Sequence, residues 1–327
     1  MKIACVRMYS DIKRRYIMEK LAYFFIDDTI WVIRDIAREK PVSIFDNAFM
    51  KMLKRAHDDT GLTVQLNLFY RTDFFYGNDE FTLKDMPDTY KPEFEANSDW
   101  LKLAFHAKQE FPDYPYVNAT YEDVKANYNE VVDQIIRFAG EKSVSTALCP
   151  HWLPVSRAGC QALADCGVKF MSPTYGKRTE YTGDPNCLPY GHSARLLNNR
   201  QPETMLFTRS NKDPRMHAAI SAYNHLDEEP FKSVIGKNTS ILDEETGLRF
   251  RQLGGGPCLN SNTQEEILEK LTASNAKGQE YIGVCVHEQY FYSDYFAYIP
   301  DYADRVYLLG KTLTDFGYRW ITADELK

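Results

Sequence analysis

The sequence predicts an α/β protein built on a parallel sheet, and two patterns point to this class. Short apolar segments alternate with polar or amphipathic helical segments along the 327 residues, which is the order typical of a parallel sheet covered by helices. Three of the helical segments stop at a glycine, as helices commonly do. Because a single α/β barrel of this length is common, we expect one domain over residues 1–327.

Six segments are expected to form strands because they are short and rich in branched and aromatic residues. They cover residues 23–26, 63–69, 101–105, 145–148, 168–171 and 281–286. Helices are predicted over residues 47–58, 120–138 and 156–166, which end near Gly61, Gly140 and Gly167. The loops that follow parallel strands gather at one edge of the sheet, so reactive side chains at strand ends are candidates for a site.

Two regions interrupt this alternation. Residues 72–99 are longer than an ordinary connection, and we expect them to form a cap over the site. Residues 176–262 form a larger insertion, which contains a hairpin predicted from residues 240–242 and 248–250. The glycines at 254–256 are interpreted as a turn, since the lysine and Ser/Thr of a phosphate-binding loop do not follow them.

Composition narrows the classes of partner. The formal net charge of −7 argues against a nucleic-acid or anionic-membrane surface, so a small-molecule or oligosaccharide substrate is expected. No apolar run approaches the ~18 residues of a membrane span, and no signal-peptide core follows Met1, which predicts a cytoplasmic protein. The seven cysteines are scattered without a Cys-x-x-Cys pair, which predicts reduced thiols.

Asp27 and Asp28 follow the first predicted strand and stand just before a helix that is expected to begin near Trp31. One interpretation is that an aspartate here only caps the helix by accepting its free backbone N–H groups. The other is that two carboxylates at the mouth of a strand belong to a reactive site. Adjacent strand residues point to opposite faces, so both acids share one site only if the backbone turns between them.

Histidines end three other strand-like segments, at His106, His151 and His287. Glu110 stands four residues after His106, so one helical turn would direct both side chains to the same face. Asp28, His106 and Glu110 would supply three ligands of the kind that a catalytic Zn²⁺ accepts while leaving room for water. His151 is a further ligand or a substrate contact. Three such histidines together with an acidic pair favour a site over ordinary packing.

Side chains next to these histidines are candidates for substrate binding. Trp152 follows His151, and Glu288 and Tyr290 follow His287 at the start of a dense aromatic run. Most aromatic residues of such a run are expected to pack against one another, and one or two to reach a ligand. The candidate substrate contacts are therefore His151, Trp152, Glu288 and Tyr290.

The order of these motifs resembles the polysaccharide deacetylase family, within the glycoside hydrolase/deacetylase barrel superfamily, over most of the chain. Residues 25–29 resemble its first motif, an acidic pair, and residues 106–110 its second, with Glu110 in place of a second histidine. Residues 149–152 stand at the third motif without its arginine, and residues 284–287 resemble the last. The segment 316–326 is the most specific match, and the fourth motif, an Asp and Trp pair, has no clear counterpart.

The resemblance implies a distorted (β/α) barrel of about seven parallel strands with an inserted subregion. It implies a metal-dependent hydrolase that removes an acyl group from an amino sugar or a related amide, with Asp27 as base, Asp28 as metal ligand and His287 as acid. Zn²⁺ is the first choice of metal, and the carboxylate of Glu110 would also suit Mn²⁺, Fe²⁺ or Co²⁺.

Two alternatives stay open at this point. The first is a carbohydrate-binding protein on the same fold that has lost catalysis, because fold does not determine function. The second is a glycoside hydrolase, which would use paired carboxylates such as Asp27 with Glu288 or Glu110.

Overall fold

The computed structural model describes residues 19–72, 80–110, 115–116, 119–153, 155–173 and 225–327. Its strands are β1 (Leu21–Thr29), β2 (Val64–Phe69), β3 (Leu101–Ala107), β4 (Ala147–Leu148), β5 (Phe170–Met171), β6 (Ile241–Leu242), β7 (Arg249–Phe250), β8 (Tyr281–His287) and β9 (Arg319–Trp320). Its helices are α1 (Trp31–Glu39), α2 (Ala48–Thr60), α3 (Lys91–Ala96), α4 (Tyr121–Ala139), α5 (Arg157–Asp165), α6 (Glu228–Val234), α7 (Gln264–Ala276) and α8 (Tyr302–Asp315).

A parallel sheet positions most of the candidate side chains. Its order is β3-β2-β1-β8, and β9 pairs with the beginning of β1. All of these strand pairs are parallel, so the carboxyl ends of the strands lie at the same edge of the sheet. The predicted α/β class with a parallel sheet is confirmed.

A second sheet has the order β4-β5-β7-β6. The pairs β4-β5 and β5-β7 are parallel, whereas β6 and β7 are antiparallel and form the hairpin that was predicted around residues 240–250. Gly247 in its turn has a φ of 80°, a conformation that glycine adopts without strain. Two isolated parallel bridges lie outside the named pairs, one between Leu103 and Val144 and one between Cys258 and Cys285.

Strand β1 is buried along its whole length. Its residues alternate between two apolar clusters, as expected for a strand that is covered on both faces. The first cluster contains Ala22, Phe24 and Ile26, and the second contains Leu21, Tyr23 and Phe25. This burial fixes the position of the acids at the end of the strand.

The three predicted helices are present as α2, α4 and α5, with ends that differ from the prediction by one or two residues. Asn47, Thr120 and Ser156 precede them, and each side chain accepts a backbone N–H of the first turn, which stabilises a helix start. Gly61 ends α2 with a φ of 74°. The sequence signals for helix ends were therefore reliable.

The first inserted region was expected to form a cap over the site, but its described residues 80–99 pack elsewhere. Residues 80–99 contain α3 and lie against α1 and α4, where the carbonyl of the buried Leu83 accepts a hydrogen bond from Arg137 at 2.8 Å. None of residues 80–99 lines the candidate cavity described below. Residues 73–79 of this region and 176–224 of the second lie outside the described residues.

Two further expectations concern the described part of the chain. No helix in this part combines the length and the apolar character that crossing a membrane requires. Its five cysteines are free thiols, as predicted from their spacing. Cys5 and Cys187 lie outside the described residues.

Candidate functional site

Strand β1 ends in a backbone turn that brings both acids into one cavity. Asp28 has a left-handed conformation with a φ of 58°, which is rare for a residue other than glycine. The pairing of β1 with β2 shifts register between Ile26 and Thr29, around this residue. Asp27 and Asp28 consequently line the same cavity, and the turn that adjacent residues need in order to share a site is present.

Three buried side chains, Asp28, His106 and His151, converge at this edge, and we call them the triad. Asp28 Oδ1 lies 3.0 Å from His106 Nε2 and 3.1 Å from His151 Nδ1. The two histidine nitrogens lie 3.1 Å from each other. The three atoms form a nearly equilateral triangle, whose edges are close to the ~3.3 Å expected between ligands of a tetrahedral Zn²⁺ with bonds of ~2.0–2.1 Å.

Backbone carbonyls determine which nitrogen of each histidine faces the triad. His106 Nδ1 donates to the carbonyl oxygen of Cys149 at 2.6 Å, and His151 Nε2 donates to the carbonyl oxygen of Glu110 at 2.9 Å. A neutral imidazole that donates from one nitrogen carries a lone pair on the other. In the neutral form, His106 Nε2 and His151 Nδ1 are therefore the nitrogens available to bind a metal beside Asp28, and in the protonated form the same nitrogens donate to Asp28. Metal-binding histidines usually have such supporting partners, so the donor set fits a divalent cation.

Glu110 does not take the position of metal ligand that was predicted for it. The third member of the triad is His151, which comes from the loop after β4. Strand β3 continues through Ala107, so the helical turn that would have aligned Glu110 with His106 does not form. Instead, Glu110 is buried, its Oε2 accepts a hydrogen bond from Gln289 at 3.2 Å, and its carbonyl orients His151.

Asp27 lies beside the triad and is held by a chain of buried hydrogen bonds. Its Oδ1 accepts from Asn67 Nδ2 at 2.6 Å and lies 3.7 Å from His106 Nδ1. Gln65 Nε2 donates to Asn67 Oδ1 at 2.7 Å, and the Tyr23 hydroxyl donates to Gln65 Oε1 at 2.5 Å. This chain occupies one oxygen of Asp27 and fixes the orientation of its carboxyl group.

Burial and the nearby histidines have opposite effects on the pKa values of Asp27 and Asp28. Burial raises the pKa of Asp28, but His151, His106 and His287 outweigh it and hold the pKa well below its usual range. Burial also raises the pKa of Asp27, and here His106 and His287 offset it only in part. Asp28 is therefore the more readily ionised acid of the pair, as a metal ligand should be.

His287 lies opposite Asp27 on the neighbouring strand β8. Its Nδ1 donates to Asn260 Oδ1 at 3.0 Å, and its Nε2 lies 3.9 Å from Asp28 Oδ2. Burial lowers the pKa of His287, but a hydrogen bond to Cys258 and the nearby carboxylates raise it to about 10. The imidazole is therefore protonated at neutral pH, with Nε2 directed to the triad.

Glu288 caps a helix instead of facing the cavity. It is fully buried, and its carboxylate accepts the backbone N–H groups of Ile30 and Trp31 at 2.8 Å and that of Val32 at 2.6 Å. Helix α1 has no other side-chain cap, so Glu288 satisfies the free donors of its first turn. Asp27 and Asp28 therefore do not cap α1. Glu288, which was expected to contact substrate, caps this helix and does not line the cavity.

The aromatic run after His287 serves mainly in packing. Tyr290 does not line the cavity, and its ring packs against Tyr295 with centroids 5.2 Å apart. The rings of Tyr292 and Tyr295 meet Trp31 edge-on at 5.0 and 6.0 Å. Among the predicted substrate contacts, His151 and Trp152 are the two that line the cavity.

The cavity in front of the triad has a volume of about 500 Å³, which is within the range of small-molecule pockets. All three triad side chains line it, together with Asp27 and His287. The other described residues that line it are Phe25, Cys149, Pro150, Trp152, Leu153, Ser172, Pro173, Phe231, Gln252, Gly254, Gly255 and Cys285. Among the described lining residues, the carboxylates are those of the adjacent Asp27 and Asp28.

Sequence reasoning missed two amides of this site, Asn67 and Asn260. Asn67 carried a signal, because a polar residue inside a predicted buried strand needs a hydrogen-bond partner. Asn260 lies within the second insertion, where the sequence gave no such indication. The role of His151 as a triad member was one of the two possibilities left open for it.

No protein-family model, curated protein or solved structure matches this chain. The geometry and chemistry of the site are therefore the basis on which we infer its function.

Proposed function

We propose that the chain is a metal-dependent hydrolase that removes an acyl group from an amino sugar or a related amide. The observation that carries this proposal is the buried triad of Asp28, His106 and His151, with Asp27 and His287 in the same cavity. A metal site next to a candidate base and a candidate acid suits metal-assisted hydrolysis.

The triad would hold the metal through Asp28 Oδ1, His106 Nε2 and His151 Nδ1. When bound, a divalent ion would polarise the substrate carbonyl and lower the pKa of a water from ~15.7 toward ~7. Three protein ligands leave at least one position open. Two nitrogens and one oxygen suit Zn²⁺ and also Mn²⁺, Fe²⁺ or Co²⁺.

Asp27 and His287 would move the protons of the reaction. Because Asn67 occupies Oδ1 of Asp27, Oδ2 would take a proton from the attacking water as this water adds to the carbonyl carbon. His287 would donate from Nε2 to the leaving nitrogen when the C–N bond breaks, since its Nδ1 is engaged with Asn260. Each such proton transfer typically contributes ~10²–10⁴-fold to the rate.

The resemblance to polysaccharide deacetylases supports this proposal in a modified form. The family's metal ligands are one aspartate and two histidines, and the triad has the same composition although its second histidine comes from another loop. We further propose that the strands close into a distorted barrel. The isolated bridges between Leu103 and Val144 and between Cys258 and Cys285 support closure, because each joins a strand of the first sheet to a segment that leads to or from the second sheet.

The direct test is the release of free amine from N-acetylated and longer N-acylated amino sugars by the chain loaded with Zn²⁺, Mn²⁺ or Co²⁺. We expect the wild-type chain to hydrolyse at least one of these amides. An Asp27→Asn variant should lose ~10²–10⁴-fold in kcat while it keeps its metal content. Exposed Lys311 on α8 provides a matched control, because Lys311→Ala should leave turnover unchanged.

Two results would point to the alternatives. Ligand binding without turnover by the wild-type chain, whatever the metal, would indicate a non-catalytic binding protein. New reducing ends without released amine would indicate a glycoside hydrolase, which needs two carboxyl groups about 5–9.5 Å apart across the bond.

A further inference from the structure

The floor of the cavity is apolar directly beside the reactive groups. Phe25 and Cys285 stand two residues before Asp27 and His287 on β1 and β8, and strand side chains two residues apart face the same side. Cys149 lines the cavity with them. Cys149 is buried, and a buried free cysteine behaves as a small hydrophobic residue.

The walls of the cavity continue this apolar surface. Trp152 and Leu153 contribute from the loop after β4, Pro173 follows β5, and Phe231 comes from α6. Apart from Phe231, these residues follow strands of the second sheet, whereas His287 ends β8 of the first sheet. The apolar side chains therefore come from several elements around the cavity.

The carboxylate and imidazole side chains among the described residues that line the cavity are those of the triad, Asp27 and His287. Apart from the triad, Asp27 and His287, the described lining residues include no lysine, arginine or acid. Their hydroxyl and amide side chains are those of Ser172 and Gln252, and Gln252 Oε1 already accepts the backbone N–H of Gly236 at 2.7 Å. The described lining residues therefore offer few side-chain partners to the hydroxyl groups of a buried sugar ring, and each hydroxyl left unpaired costs ~1–3 kcal/mol.

An acetyl group would fill only a small part of this space. It is comparable in size to two or three water molecules, each of which takes ~30 Å³ of liquid volume, whereas the cavity measures about 500 Å³. The remaining volume is bordered mainly by apolar side chains, which favour an apolar occupant.

We propose that the acyl group removed by this site is apolar and larger than acetyl, such as a medium-length alkanoyl group, and that it binds in the cavity. This inference rests on the proposed function. The leaving nitrogen would face His287, and the acyl chain would lie on Phe25, Cys149 and the wall formed by Trp152 and Phe231. The sugar or other amine part would remain outside the cavity.

The test uses alkyl hydroxamic acids, which combine a metal-binding head with a chain of chosen length. Their affinities for the Zn²⁺-loaded full chain are measured by isothermal titration calorimetry, after the binding of Zn²⁺ itself has been measured. Each buried methylene should tighten binding about fourfold, so hexanohydroxamate, with four more methylenes, should bind roughly 250-fold more tightly than acetohydroxamate. Phe231→Ala should reduce this ratio, whereas Lys232→Ala, at an exposed position on the same helix, should not.

Two outcomes would overturn the inference while leaving the proposed function intact. One is equal affinity for the two hydroxamates in a chain that binds Zn²⁺. The other is a length dependence that Phe231→Ala leaves unchanged.

Failure of the proposed function would be seen separately, as absence of both metal binding and amine release with Zn²⁺, Mn²⁺ and Co²⁺. In that case the metal-free chain is tested with the neutral fluorophore N-phenyl-1-naphthylamine. Its displacement by octanamide but not by acetamide would support the apolar cavity, and failure of the fluorophore to bind would refute it.

Discussion

The conformation of Asp28 decides whether the two acids can act together. In a regular strand Asp27 and Asp28 would point to opposite faces, but the left-handed φ of 58° at Asp28 directs both into the cavity. Such a conformation costs about 1–3 kcal/mol and is tolerated best by short polar residues. The sequence showed that a turn was needed, but not that Asp28 would make it beside His106 and His151, which are distant in the chain and close in space.

The choice between His151 and Glu110 as third metal ligand can be decided by substitution. Because His151 Nδ1 is part of the triad and the Glu110 side chain is not, His151→Ala should weaken Zn²⁺ binding by more than the ~10–100-fold that loss of a supporting partner costs. Glu110→Gln should change it little, since the backbone carbonyl that orients His151 is kept. Titration calorimetry measures both values, and the opposite order of effects would refute the assignment.

Asp27 should reduce stability at neutral pH because its charge is buried. Burial raises its pKa, so the folded state holds the proton more tightly, and stability is lost as the pH rises above the unfolded value of ~3.9. Asp27→Asn keeps an oxygen to accept from Asn67 and carries no charge. We therefore expect the metal-free variant to melt at a higher temperature than the wild type at pH 7, with the difference shrinking toward pH 4. Thermal scans across this range check it, and a variant that melts lower at pH 7 would contradict it.

At the scale of elements, α1 depends on a side chain that comes from far along the sequence. Glu288 follows β8 and accepts three backbone N–H groups at the start of α1. The sequence placed Glu288 next to a histidine at a strand end, which is typical of a substrate contact, and gave no sign that α1 would need an external cap. Strand ends and helix ends were predictable from local patterns, but this pairing depends on how β1 and β8 lie side by side.

The cap should make stability depend on pH through Glu288. Burial raises the pKa of Glu288 to about 7, despite the three N–H groups that lower it. Its contribution to stability is therefore complete below the unfolded pKa of ~4.3 and lost as the pH rises through the folded value. The free energy of unfolding of the wild type should fall relative to that of Glu288→Gln between pH 4.5 and 8, because glutamine does not titrate. Urea unfolding at several pH values measures this difference, and parallel curves would refute it.

At the scale of the whole molecule, the parallel sheet explains why distant residues meet. Strands β1, β3 and β8 end at the same edge, so Asp28, His106 and His287 approach one another although they are far apart in sequence. The alternation of strands and helices predicted the class of fold and these three positions. The structure places the Glu110 side chain outside the triad and residues 80–99 outside the cavity lining, and both positions depend on loop conformations that local patterns do not determine.

Metal binding should stabilise the whole chain. A ligand present at ~1,000 times its Kd stabilises the folded state by ~4 kcal/mol, which corresponds to a rise of several degrees in Tm. We expect Zn²⁺ or Mn²⁺ to raise the Tm of the wild type and to leave that of Asp28→Asn unchanged. A calorimetric scan with and without metal measures the shift, and an equal shift in both proteins would place the metal elsewhere.

The central claim is that Asp28, His106 and His151 hold one divalent cation. A crystal of the chain grown with Zn²⁺ and measured on both sides of the zinc absorption edge tests it most directly. We expect one anomalous peak within ~2.0–2.2 Å of Asp28 Oδ1, His106 Nε2 and His151 Nδ1. A peak held by other residues, or no peak at the triad in crystals that contain zinc, would contradict it.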